Sequence, residues 1–142
     1  METQELLKRY AAGERHFIGI DLSDRTLSWV ELPGINLSHA ELSFAMLEGA
    51  DLAEANLARA HLQGVDLSVA NLYRADLRGA NLTEADLRGA ELGYANLLGA
   101  NLSGALLGGA DLSKVIMPNG IVNSASTIVQ GTKQKALLPV GF

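Results

Sequence analysis

The chain has 142 residues, of which 48% are hydrophobic and only 5% aromatic, and its formal net charge is −5. This length favours a single domain, and the absence of cysteine excludes disulfides and thiolate chemistry. The polar start is unlike a signal peptide, and no apolar run approaches the ~20 residues that span a membrane. We therefore expect a soluble, cytoplasmic protein with no membrane partner.

A short helix is predicted from Thr3 to Ala12. Thr3 is the expected N-cap, one face of the segment is apolar, and Gly13 suits the C-terminal end. An isolated helix of this length is only marginally stable in water. We therefore expect it to dock as a lid on the segment that follows, and a partner-binding helix is the alternative.

A five-residue rhythm dominates the rest of the chain. Leucine occupies every fifth position from Leu22 to Leu112, and alanine lies two residues before it from Ala40 to Ala110, except at Val65. Neither an α-helix nor a flat strand would place these leucines on one face. Within a unit, however, Ala and Leu point the same way along an extended segment, and the polar residue between them points outward. If the other two residues turn a corner, the units wind into a coil with an apolar interior.

Glycine is placed where such corners would need it. Nine of the fifteen glycines occupy the second variable position, the third residue of a turn from Leu to the next Ala. A type II turn requires positive φ there, which glycine adopts at little cost. Because many units lack this glycine, we expect another turn type at some corners.

The pattern Ala-(Asp/Asn)-Leu, followed by two variable residues, resembles the pentapeptide-repeat family over residues 17–117. The resemblance implies an all-β solenoid, a right-handed quadrilateral β-helix with four pentads per coil and about five coils. Residues 1–16 are then an N-terminal helical cap and residues 118–142 a C-terminal cap or tail. The period alone leaves a triangular coil open, so the number four rests on the resemblance.

Arg25 departs from the pattern because it occupies an inward-facing alanine position. We expect either a local bulge or a guanidinium that reaches the open end of the first coil beside a carboxylate. A functional arginine is the alternative.

In a four-sided coil, residues twenty apart stack as columns on the surface. One column contains a candidate acidic interaction face, in which the neutral Asn71 relieves repulsion among the carboxylates of Glu31, Asp51, Glu91 and Asp111.

We expect exposed stabilising contacts at the neighbouring corner and in other columns. We expect an ion pair between Glu54 and Arg74 and a cation–π contact between Arg74 and Tyr94. Amide ladders are expected in two places, between Asn36 and Asn56 and between Asn81 and Asn101.

Several outward positions are unexpectedly apolar. Trp29, Phe44 and Met46 form a candidate apolar contact patch, with Val69 in the column of Trp29 and Leu106 at a usually polar position. A cluster of this kind suggests a contact surface.

The rhythm ends after Met117, where Pro118-Asn119-Gly120 forms a turn. Residues 121–131 are expected to add an irregular strand or cap. The apolar tail that follows has three open roles: it closes the C-terminal end, joins an end-to-end dimer, or stays disordered in a monomer.

The sequence lacks catalytic and metal-binding motifs. Its three histidines are widely spaced, and we find neither a phosphate-binding loop nor a nucleophile elbow. We therefore expect a non-enzymatic protein without cofactor or metal. Residues 17–117 hold thirteen acidic and six basic residues, a balance of −7 that disfavours direct nucleic-acid binding.

Two functions remain open. The resemblance favours a structural or protein-interaction scaffold whose partner the sequence does not identify. It also implies an alternative, because some members of the family are acidic dimeric rods that mimic duplex DNA and bind DNA gyrase, a type II topoisomerase. The −7 balance and the acidic column support this alternative, and the interspersed arginines oppose it.

Overall fold

A computed structural model describes residues 1–124 and residue 129. Helix α1 spans Thr3–Ala11. From His16 to Ile116 the chain forms only single-residue parallel bridges, each joining a residue to the one twenty positions later. Four pentads therefore complete one turn of the coil, and the triangular arrangement is excluded.

The bridges divide the solenoid into four sides, each named here by its ladder of middle residues. Side 1 runs from His16 to Ile116 and side 2 from Asp21 to Asn101, while side 3 runs from Thr26 to Leu106 and side 4 from Glu31 to Asp111. The variable residues of each pentad form the corners between the sides.

The leucine and alanine positions line the interior, as predicted. From Leu37 to Leu97, every leucine and alanine of the repeat is at most 1% exposed, and Val65 takes an alanine position without reaching the surface. Neighbouring coils are joined along each pentad by backbone hydrogen bonds, such as Leu57 N–H to Asp76 O at 2.7 Å. The core is thus a narrow column filled by one large and one small apolar side chain per pentad.

All corners from Gly19 to Lys114 use the same backbone conformation. The third turn residue has positive φ at nine glycines and also at eleven other residues. From the Asp24 corner onward, the next amide donates to the preceding leucine oxygen, as in Ala40 N–H to Leu37 O. The expectation of another turn type at corners without glycine is therefore wrong. The hydrogen bonds that each corner makes to the next coil impose the conformation, although it costs a non-glycine residue roughly 1 kcal/mol.

The middle polar residue has a structural role that the sequence analysis missed. All twelve Asp and Asn residues at this position between Asp21 and Asp111 accept a hydrogen bond at Oδ1 from the backbone N–H two residues later, at 2.9–3.1 Å. In the inner coils, the remaining amides of such a pentad bond within the turn or to an adjacent coil. The expected amide ladders are replaced by this local bond, because Asn36, Asn56, Asn81 and Asn101 each use their oxygen in their own turn.

Helix α1 packs on the N-terminal end of the coil through Leu6, which is fully buried. Thr3 is not the N-cap: it is the first helical residue, and its hydroxyl donates to Thr26 O at 3.2 Å, because that carbonyl lies at the edge of the first coil. Tyr10 hydroxyl donates to Pro33 O at 2.6 Å. These contacts place the helix across the first coil, as the lid hypothesis required.

Arg25 follows the prediction that its guanidinium would reach the coil end beside a carboxylate. Its Nε donates to Met1 O, and its Nη2 lies 3.1 Å from Glu2 Oε1. The inward-phased arginine therefore joins the first coil to the segment that precedes helix α1.

At the other end, Val122 forms an antiparallel bridge with Ile116, and the buried Val129 exchanges backbone hydrogen bonds with Gly109 and Ala110. These contacts cover part of the last coil. The expectations for residues 125–128 and 130–142, including the roles proposed for the apolar tail, lie outside the described residues.

Val69 provides a test of the corner constraint, because a β-branched residue is poorly suited to its φ of 49°. Replacing Val69 with glycine should raise the free energy of unfolding by about 1 kcal/mol in urea denaturation. The control Ser68→Gly, in the same turn but without positive φ and with a hydroxyl bonded to Asp66, should lower it. A loss of stability in Val69→Gly would contradict the strain argument.

Asn81 provides a test of the amide-capping role. Its Oδ1 accepts the amide of Thr83 at 3.1 Å, so Asn81→Ala should cost about 1 kcal/mol of unfolding free energy. Asn81→Asp keeps the acceptor and should lie within about 0.5 kcal/mol of the parent protein. Equal stability of the Ala and Asp variants would show that the bond is unimportant.

Candidate interaction surfaces

The candidate acidic face occupies side 4. Its ladder joins Glu31, Asp51, Asn71, Glu91 and Asp111 in consecutive coils, so the predicted column exists with the neutral Asn71 in its centre. Asp51 and Asp111 also accept the amides of their own turns, whereas Glu31 and Glu91 are exposed to solvent. This side therefore presents carboxylates without an ion pair among the described residues.

The candidate apolar patch lies around the first coils of side 3. Met46 is a middle residue of this side, Phe44 lies at the corner before it, and Trp29 lies at the corner after it, one coil earlier. Their exposed fractions are 47%, 57% and 65%, and Val69 in the Trp29 column is 50% exposed. The sequence-predicted residues are therefore on one side of the rod and open to solvent.

Both aromatic rings of the patch lie against a glycine of the next coil. A Cβ added to Gly49 would lie 2.2 Å from Cε3 of Trp29, and one added to Gly64 would lie 2.4 Å from Cε1 of Phe44. The two rings thus contact the glycine backbone directly. Any larger residue in place of either glycine would push the ring away from the backbone. The sequence signal for this pairing is a large corner residue followed by glycine twenty positions later.

A second aromatic cluster lies at the corner between sides 4 and 1. The Arg74 guanidinium is 5.2 Å from the Tyr94 ring centre, as predicted, and 5.4 Å from that of Tyr73, while the two rings pack edge to face at 5.8 Å. The expected ion pair with Glu54 is not among the described salt bridges, because Arg74 is engaged by the tyrosines. The Tyr73 side chain raises the pKa of Arg74 most, and the Glu54 carboxylate raises it by less.

Two carboxylates of the rod are already neutralised by arginines. Arg78 binds Asp76 through Nε and Nη2 at 2.9 and 2.6 Å, and Arg88 binds Asp86 in the same way at 2.9 and 2.7 Å. The arginine hydrogen bonds hold the pKa of both carboxyl groups below the ordinary value. These fork-like pairs leave less free negative charge than the residue count suggests.

The net charge, with these pairs included, is unevenly distributed around the rod. Side 1 and its two corners carry four basic and two acidic residues between positions 17 and 117, a balance of +2. The other sides and corners carry eleven acidic and two basic residues, a balance of −9, and the two sums give −7. The rod is therefore weakly basic along one side and strongly acidic around the other three.

An open cleft of ≈ 470 Å³ lies at the corner between sides 1 and 2. Its lining consists of Ala58, Arg59, Arg78, Gly79, Leu98 and Gly99. Arginine is always protonated, so this lining offers no general base. No group of potential metal ligands occurs among residues 1–124 and 129, and no helix in that part of the chain could cross a membrane.

Comparison with known proteins places this solenoid in a family. The profile of pentapeptide repeats, with eight copies, matches residues 20–57, 50–89 and 80–119. The chain belongs to the pentapeptide-repeat family. Pentapeptide-repeat proteins form right-handed quadrilateral β-helices, in agreement with the twenty-residue register of the bridges.

Three solved pentapeptide-repeat proteins illustrate the similarity. HetL of Nostoc, a protein involved in heterocyst differentiation regulation, is 42% identical over 79% of this chain and 54% of its own, with a TM-score of 0.45. This chain therefore spans about half the length of HetL. A thylakoid-lumen protein of Arabidopsis thaliana is 27% identical over 83% of this chain and 87% of its own, with a TM-score of 0.60. Rfr23 of Cyanothece is 31% identical over 75% of this chain and 92% of its own, with a TM-score of 0.50. No curated protein is significantly similar.

The contact between the Trp29 indole and Gly49 can be tested by fluorescence. Gly49→Ala should lift the indole from the backbone and lower its fluorescence anisotropy, and Trp29 is the only tryptophan. Gly34→Ala is the matched control, since its φ of 70° gives similar strain but an added Cβ has no neighbour within 4 Å. Equal anisotropy in the two variants would show that the indole does not rest on Gly49.

Proposed function

We propose that this pentapeptide-repeat protein is a non-enzymatic scaffold that binds another protein through its outer surface. The observation that carries the proposal is the placement of Trp29, Phe44 and Met46, which are large, exposed and located on one side of a rod. Aromatic residues and methionine are enriched at protein interfaces, where a few anchors supply most of the binding energy.

The rigidity of the solenoid supports this role. Coils that are bonded to their neighbours along every side hold surface residues at fixed spacing, so partner binding requires little ordering of the scaffold. The acidic sides supply solubility and long-range attraction for a partner of opposite charge.

Affinity purification from the native cells tests the scaffold. The bait proteins are the parent chain, a patch variant carrying Phe44→Ser and Met46→Ser, and a control with Tyr94→Ser at the corner between sides 4 and 1. We expect at least one protein to be recovered by the parent and the control but depleted about tenfold by the patch variant. That protein must then bind the purified parent chain directly. Equal recovery by all three baits would overturn the proposal.

A second candidate is modulation of DNA gyrase by mimicry of duplex DNA. The balance of −9 around three sides of the rod favours it. Against it, Asn71 interrupts the acidic column and arginines neutralise Asp76 and Asp86.

A gyrase supercoiling assay separates the two candidates. Under mimicry, micromolar protein should inhibit supercoiling, and a variant with Glu31→Gln, Asp51→Asn, Glu91→Gln and Asp111→Asn should not. The two Asp→Asn changes keep the oxygen that accepts the turn amide, so they remove charge without removing the cap. Absence of inhibition by the parent protein would eliminate this candidate.

A further inference from the structure

We infer that the apolar patch of Trp29, Phe44 and Met46 binds a basic polypeptide segment that carries apolar side chains. The inference rests on the proposed scaffold function and adds the chemical class of its partner. It depends on what surrounds the patch as well as on the patch itself.

Carboxylates surround the patch and form an acidic rim of Asp24, Glu48 and Asp66. Asp24 lies one coil before Phe44 at the same corner, and Glu48 immediately precedes the glycine that Trp29 covers. Asp66 is the next residue after Met46 on the ladder of side 3. Each anchor therefore has a carboxylate within one coil step.

None of the three carboxylates of the acidic rim forms a salt bridge within the described chain. The two arginines of side 3 form their salt bridges with other carboxylates, Arg25 with Glu2 and Arg88 with Asp86. Arg88 also attracts Asp66 electrostatically, so Asp24 and Glu48 are the rim carboxylates that most require a cation from the ligand. A ligand that covers the patch must therefore bring its own positive charge, because buried unpaired carboxylates are costly.

This charge pattern selects among the possible occupants. Nucleic acid and anionic membranes would be repelled by the rim. A second copy docking through the same side would oppose the rims of both copies. Docking through its weakly basic side 1 would be heterologous and would produce head-to-tail rings or open chains, which makes the oligomeric state a test of this occupant. A basic segment with apolar side chains satisfies both the anchors and the rim.

The patch is also preorganised for such a ligand. Trp29 and Phe44 rest on Gly49 and Gly64, so their rings are positioned by the backbone of the next coil before any partner arrives. Less conformational freedom is then lost on binding. The glycines are thus positioning residues for the interface, although they offer no side chain to it.

A peptide titration tests the inference. The probe is a short synthetic peptide with one leucine face and one lysine face, and two matched peptides replace every lysine with glutamate or every leucine with glutamine. Contact at the patch should shift the emission of Trp29 to shorter wavelength, because the indole becomes buried. We expect the leucine–lysine peptide to bind at least about tenfold more tightly than either matched peptide.

Variants of the full chain locate the binding. Gly49→Ala should weaken binding of the leucine–lysine peptide about tenfold. Gly34→Ala, with similar backbone strain, should leave the Kd unchanged. Combining Glu48→Gln with Asp66→Asn should weaken binding of the leucine–lysine peptide a few-fold and make the Kd less dependent on salt concentration. Phe44→Ala should weaken it without altering the fluorescent reporter.

Four results would overturn the inference. The first is that the glutamate peptide binds as tightly as the leucine–lysine peptide. The second is that the Gly49→Ala variant binds the leucine–lysine peptide as tightly as the parent does, and the third is that anionic phosphatidylglycerol vesicles produce the same emission shift. The fourth is a shift that grows with protein concentration alone, which would identify a second copy as the occupant. If any of these occurs while affinity purification still shows patch-dependent capture, the scaffold function stands and only the basic partner is wrong.

Discussion

The hydrogen bonds between coils are the constraint on which the rest of the structure depends. In the inner coils, a pentad with Asp or Asn in the middle satisfies all five of its amides, as the pentad of Asn81 shows: three bond to adjacent coils, one closes the turn, and one is capped by the polar side chain. Because unsatisfied buried amides are costly, this pattern fixes the corner conformation, the extended segment and the stacking distance together. Positive φ at residues as unsuitable as Val69 follows from it.

The interior of this fold could be predicted from the sequence because, from Ala40 to Leu112, it obeys one rule with Val65 as the single exception at an alanine position before Ala110. Leucine at every fifth position and alanine two residues before it are both buried when the chain winds into a coil, and the number of pentads per coil came from the family resemblance. Arg25 was also predictable, because a guanidinium on a long stem cannot remain in a dry interior and the open coil end was near.

Other features depend on geometry that the sequence pattern does not specify. Glycine at some corners suggested that other corners differ, whereas the bonds to adjacent coils impose one turn on all of them. Asparagines twenty apart suggested ladders, but a nearer amide competes for the same oxygen. Arg74 lies between two tyrosines, and its contact with Tyr73 was not foreseen because Tyr73 belongs to the other corner position. The acidic column from Glu31 to Asp111 followed from the twenty-residue spacing. That the rings of Trp29 and Phe44 rest on Gly49 and Gly64 was not predicted from the sequence.

Resting a large corner residue on a glycine limits how the rod can change length. Phe44 lies on Gly64, and the next residue at that corner is Glu84. Removing residues 45–64 would preserve the pentad rhythm, the core and the side ladders, yet it would bring the phenyl ring against a glutamate side chain instead of bare backbone. Whole coils are therefore not interchangeable at this corner: loss of residues 45–64 calls for a small residue at position 84, whereas duplication of the same residues leaves Phe44 against Gly64.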